Sequence, residues 1–205
     1  MLFADPSIVD FLDDAYECAA VTLRPVPRAE IDFGNGITLT RTLNGNVATY
    51  FCTPAGEVVD LVPGLAAPAD FLERARKAAS LIGLFGEDPR SARSRVAKHH
   101  RSRAGTSGSA RRVPDAGKAV VERPLKRALA GLPADPFQAG LQDDAGYNLE
   151  VRMPAVHALL AEQPLATPDA LKGRLFREIL GVDLEDPYLG LAPYVLGGEG
   201  GRRAP

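Results

Sequence analysis

NVATYFCTPAGEVVDLVPGLAAPADFLERARKAAS, residues 46–80, decides how the rest of this chain is read. Val47, Thr49 and Phe51 alternate with Ala48, Tyr50 and Cys52, a β-branched and aromatic run that suits a pleated sheet. Thr53-Pro54-Ala55-Gly56 supplies the turn, because proline presets φ and Gly56 tolerates left-handed backbone. Val58, Val59 and Leu61 return as a second strand, which Pro63-Gly64 ends. Beyond a loop, Phe71, Leu72, Ala75, Ala78, Leu81 and Ile82 recur at helical spacing, with Glu73, Arg74, Arg76 and Lys77 on the wet side.

Upstream, Asp5-Pro6 is a helix start, with Asp5 as N-cap and proline at the first helical position. Ile8, Val9, Phe11, Leu12 and Tyr16 form that helix's apolar face. Cys18 to Leu23 (CAAVTL) reads as a buried strand closed by Pro25 and Pro27. Residues 30–43 read as an insertion, in which Gly34-Asn35-Gly36 separates two β-prone pieces.

Downstream the character changes. Residues 88–117 lack apolar periodicity and are rich in Ser, Gly, Arg and Pro. Such a stretch buries too little surface to offset its ordering entropy, so the sequence predicts a flexible tether. A short helix is expected over 119–132 and loop over 133–148. Order returns near Met153: Met153, Val156, His157 and Leu160 share a helical face, and Gln163-Pro164 stops it. Thr167 caps a second helix carrying Leu171, Leu175, Phe176, Ile179 and Leu180, with Gly181 just past its end. The tail carries Tyr188, Leu189, Leu191, Tyr194, Val195 and Leu196 without helical period. It is expected to dock on its own domain, or else on a partner by strand addition or groove binding. The resulting division is 1–86, a domain; 87–148, a mostly basic flexible linker; and 149–205, a helical hairpin with an apolar tail.

Across 205 residues the hydrophobic fraction is 45%, the charged fraction 24% and the net charge −2, so nothing global favours a polyanion. The distribution is uneven. Between Arg90 and Arg127 twelve Lys and Arg face two acidic residues, a net of +10, which leaves −12 for the rest. Arg93, Arg95, Lys98, Arg101, Arg103, Arg111 and Arg112 are the candidate polyanion contacts there. Base-stacking aromatics are absent between Phe85 and Phe137, which favours a solvated tether over a nucleic-acid site. Two cysteines without a CxxC point to a reducing compartment, and no run of about 18 apolar residues suggests a membrane span. The acidic N-terminus does not read as a signal peptide. A cytoplasmic protein is expected. The 19 Arg against 5 Lys, with much Ala, Gly and Pro, reads as the coding bias of a GC-rich bacterium.

DPSIVDFLDDAYECAAVTL and VATYFCTPAGEVVDLVPGL, in this order, resemble the later part of a thioredoxin-like domain: a helix leading into a buried strand, then the antiparallel hairpin and a closing helix. The resemblance covers roughly residues 1–83. It implies an α/β fold, an incomplete thioredoxin-like mixed sheet flanked by helices. The family's CxxC and its preceding strand would lie before Met1, and Val47 or Ala48 stands where the family carries a cis-proline. No thioredoxin chemistry therefore transfers to a residue of this chain.

The remaining candidates are few. With a strand between theirs, Cys18 and Cys52 would sit about 9–10 Å apart, beyond disulfide reach of roughly 7 Å. They read as small buried hydrophobes, with Cys52 the redox candidate if a nearby cation lowers its pKa. His99, His100 and His157 are the imidazoles, but a metal needs three or four convergent ligands, and two of these fall in the expected tether. No metal or cofactor is expected. Asp143-Asp144 and Asp183, Glu185 and Asp186 read as solvated loop charge, and no P-loop, GxSxG or HExxH motif occurs. The expected function is non-catalytic: a thioredoxin-like binding or assembly protein with a protein partner. The alternatives are a thiol-dependent redox protein using Cys52 or an upstream CxxC, and a nucleic-acid accessory protein acting through the basic segment.

Overall fold

A computed structural model of the chain describes residues 2–25, 28–32, 34–36, 38–42, 47–104, 113, 116 and 144–195. Residues 47–80 fold as read. Strand β3 is Ala48–Cys52 and β4 is Val58–Pro63, antiparallel around the Thr53–Gly56 turn. The register pairs Phe51 with Asp60 but Cys52 with Val58, so Val59 is a bulge residue without a cross-strand partner. The bulge also explains a spacing that strict alternation forbids. Val58 and Leu61, three apart, both join the core on one face of the hairpin, with Ala48, Tyr50 and Cys52 beside them. Phe51 and Val62 face the other way.

Each face is covered by helices. On one side α1 (Pro6–Ala15) and α2 (Pro68–Glu87) bury Ile8, Phe71, Ala75 and Ala78 against Phe51 and Val62. The Tyr16 hydroxyl donates to the Ala75 carbonyl at 2.7 Å, and the Tyr16 and Phe51 rings lie 5.6 Å apart. On the other side α4 (Met153–Glu162) and α5 (Pro168–Arg174), the latter prolonged by a π-helical turn over Leu175–Leu180, pack on Val58 and Leu61. Their caps are the expected ones: the Thr167 side chain accepts from Ala170 N, and Gly181 takes φ 76°. The fold is mixed α/β, with every described strand in an antiparallel pair.

Three expectations need correcting. Residues 89–103 are not tether but helix α3 (Pro89–Arg103), closely following α2. Asp88 accepts from Arg90 N and Ser91 N, and Pro89 occupies the first turn, the same start as Asp5-Pro6. Its buried stripe is Ala92, Val96 and His100, one residue per turn, too narrow and too polar to register as amphipathic periodicity. Second, 18–23 is no buried strand. The segment is extended, joins no sheet among the described residues and is exposed throughout, with Val21 81% accessible. A strand forms only against a partner edge, and the outer edge of β4 is already closed by Val58 N to Ala166 O at 2.9 Å and by His100 to Val59 O at 2.8 Å. Third, residues 144–148 are helical rather than loop, running into a π-helical turn over Asn148–Arg152. The insertion folds as its own hairpin, β1 (Arg28–Asp32) on β2 (Thr38–Thr42). The helix expected over 119–132 lies outside the described residues.

The end of β4 is tied to the C-terminal half by polar groups. Asn148 Nδ2 donates to Leu65 O at 2.6 Å, and Arg152 donates from Nη1 to Asn148 Oδ1 at 2.8 Å. Gly64 makes this approach possible, with φ 84° and a position where an added Cβ would meet Asn148 Nδ2 at 2.6 Å. Gly56 is also left-handed, at 78°, but faces open space. Gly56→Ala should therefore cost only the left-handed penalty of about 1–2 kcal/mol. Gly64→Ala should cost clearly more, as read by urea unfolding of both variants. Equal losses would place Asn148 elsewhere.

Candidate functional site

The residues with chemical potential gather where α3 crosses α4 beside the bulge. Ala92, Val96 and His100 face inward from α3, and Val96 meets Val59 and Leu165. His100 is wholly buried, His157 is 4% accessible and His99 is half-buried. His100 Nε2 lies 2.8 Å from Val59 O, so this nitrogen carries the proton and donates it. His100 Nδ1 is then an acceptor, and His157 Nδ1, 2.9 Å away, is the donor to it. One geometry thus specifies both tautomers. The His99 ring stands edge-on to both, with centroids 5.0 Å from His100 and 5.7 Å from His157. One nitrogen from each of the three lies within 4.8 Å of the others.

Burial holds these imidazoles neutral. It pushes His99 down to about 4, helped by coupling to His100 and by the cations Lys77, Arg103 and Arg74. Burial likewise drives His157 far below the ordinary histidine range, with His100 and Arg74 next in effect. His100 is also lowered by burial, against the opposing pull of Asp60 and the Val59 carbonyl. Asp60 itself, 2% accessible on the α2 face of β4, has its carboxyl raised by burial and drawn back by His100, its own hydrogen bond from Leu61 N, Arg74 and Arg103. A buried acidic side chain and the cations Lys77, Arg74 and Arg103 thus act on the imidazoles with opposite signs.

The sequence-predicted candidates fall elsewhere. Cys18 is exposed and Cys52 partly buried against the core, and burial pushes the Cys52 thiol up from its ordinary value, the wrong direction for a redox thiolate. Arg93, Arg95, Lys98, Arg101 and Arg103 are exposed along α3, with Arg93 paired to Glu57 at 2.7 Å. Arg111 and Arg112 lie outside the described residues. In the tail, Leu189 and Leu191 are buried against Val182, whereas Tyr188 is 69% accessible. Tyr194 and Val195 belong to a short helix, α6 (Ala192–Val195), and Leu196 lies outside the described residues. Asp183 accepts from Arg177, and Asp186 Oδ1 from Tyr188 N, so these acids serve local structure. What sequence reasoning set aside was the histidine set. The available signal was the repeated Asp-Pro helix start at 88–89, which converts a supposed tether into an element with an inward face. No described helix is long and apolar enough to cross a membrane.

Cys52 should resist iodoacetamide at neutral pH, where its raised pKa leaves little thiolate, while exposed Cys18 alkylates readily. Mass spectrometry of partially labelled protein checks the order; Cys52 reacting first would restore the thiol reading.

Comparison with protein-family models, curated proteins and solved structures finds no match for this chain at any of the three levels.

Proposed function

We propose that this chain is a non-catalytic binding protein that takes up an extended segment of a partner protein by strand addition on residues 17–23. The observation that carries the reading is the bare extended run Glu17-Cys18-Ala19-Ala20-Val21-Thr22-Leu23, exposed along its whole length. It is held at both ends. Tyr16 is fixed by its hydroxyl bond to Ala75 O, and Arg24 Nη1 donates to Asp186 O at 3.1 Å. A pinned, extended, apolar run with no described strand beside it offers backbone groups and alternate side chains to an incoming strand at little ordering cost. The thioredoxin-like resemblance supports the same role, since this run stands where that family places a sheet strand. The Cys52 environment weighs against thiol chemistry.

The test uses a random peptide library displayed on phage and selected against the full chain. Enriched peptides should be extended and apolar. Their binding should fall at least tenfold for Thr22→Pro, which deletes one backbone donor, and little for Tyr188→Ala. Amide exchange should slow across 17–23 on binding. Enriched peptides that protect another surface would refute the assignment.

A second reading rests on the helical order of α3, along which Arg95, Lys98, Arg101 and Arg103 are exposed. Binding of single-stranded RNA through these residues should weaken steeply with salt and be abolished by Arg95→Glu combined with Arg101→Glu. Retained binding in that double variant would exclude it.

A further inference from the structure

We propose that His99, His100 and His157 form a site for a divalent transition ion that prefers imidazole nitrogen, with Zn²⁺ as the reference ion. The inference is independent of the strand-addition reading.

The first support is convergence. Imidazole nitrogens on a tetrahedral zinc, with bonds of 2.0–2.1 Å, stand about 3.3 Å apart. The His100 and His157 Nδ1 atoms are 2.9 Å apart and all three donors lie within 4.8 Å, separations that bracket the one a tetrahedral ion requires. Second, His100 is oriented as a ligand is. Its Nε2–H is committed to Val59 O, which leaves the Nδ1 lone pair facing His157 Nδ1 inside the three-histidine cluster. That carbonyl is free to accept because the bulge removes Val59 from the ladder.

A hydrogen-bonded structural pair is the competing explanation, and it accounts for His100 and His157. It gives no role to His99, whose ring completes the cluster at its half-open side and provides the entry route. On metal binding the proton that His157 Nδ1 shares with His100 moves to His157 Nε2, so both imidazoles stay neutral and each offers a lone pair. Three nitrogen ligands leave a fourth position for water or an added anion. The surroundings select the anion: Arg74, Lys77 and Arg103 place positive potential around His99, which a dication alone would aggravate and an anionic fourth ligand relieves. Buried Asp60, on the strand whose Val59 carbonyl holds His100, is the acidic side chain that couples to His100.

The experiment titrates the full chain, stripped with a chelator, with Zn²⁺ alone, reading stoichiometry by elemental analysis and affinity by calorimetry. One ion per chain is expected, with a raised melting temperature, and Co²⁺ in its place should give the visible absorption of a tetrahedral nitrogen site. His99→Ala leaves the buried hydrogen-bonded pair intact and should fold normally, yet weaken Zn²⁺ at least 100-fold. His157→Gln should abolish binding as well. Failure to take up stoichiometric Zn²⁺, or undiminished affinity in His99→Ala, overturns the proposal.

Discussion

The Val59 carbonyl is the point on which the described structure turns. A β-bulge leaves it without a strand partner, and it lies in a strand buried along its entire length. An unsatisfied buried carbonyl costs about 1–3 kcal/mol, and Val59 is wholly buried. His100 satisfies it, and in doing so fixes α3 against the hairpin and aims its other nitrogen at His157 on α4. A two-residue hydrogen-bond chain therefore ties three elements together across more than fifty residues of sequence. The cost of such a chain is specificity of protonation: it works only with neutral rings, and burial supplies that condition.

Strand β4 is consequently central although its sheet has two strands. The hairpin carries apolar side chains on both faces, one toward α1 and α2, the other toward α4 and α5. Two-stranded hairpins are marginal by themselves, and this one is stable because helices cover both faces and a loop carbonyl and a histidine, not a third strand, finish the outer edge of β4. Val58 N reaches the Ala166 carbonyl in the loop between α4 and α5, a contact that again uses groups distant in sequence. Closing the β4 edge in this way also bars 17–23 from pairing with β4, and the run lies exposed outside the sheet.

Charge follows the same geometry. The basic residues of α3 are kept outward by a stripe of only Ala92, Val96 and His100, so a helix of high positive charge docks through small, neutral groups. The interior carries its single described acidic counterweight at Asp60.

Local rules made much of this chain legible. The hairpin at 48–63, the helix starts at Asp5-Pro6 and Thr167-Pro168, the Gly181 stop and the apolar stripes of α4 and α5 all follow from periodicities and caps that act within a few residues. The errors share one cause. The 18–23 run has strand-forming residues, but strand formation depends on a free edge elsewhere; 89–103 looks like tether, but Ala92, Val96 and His100 find apolar neighbours and a carbonyl that another segment supplies. The histidine cluster was illegible for the same reason, since His99, His100 and His157 meet only after the bulge frees Val59 and α4 packs over it. Sequence alone determined where the chain turns, starts helices and alternates; tertiary structure decided which edges are closed and which imidazoles converge, because burial and pairing are properties of two surfaces and no single stretch encodes both.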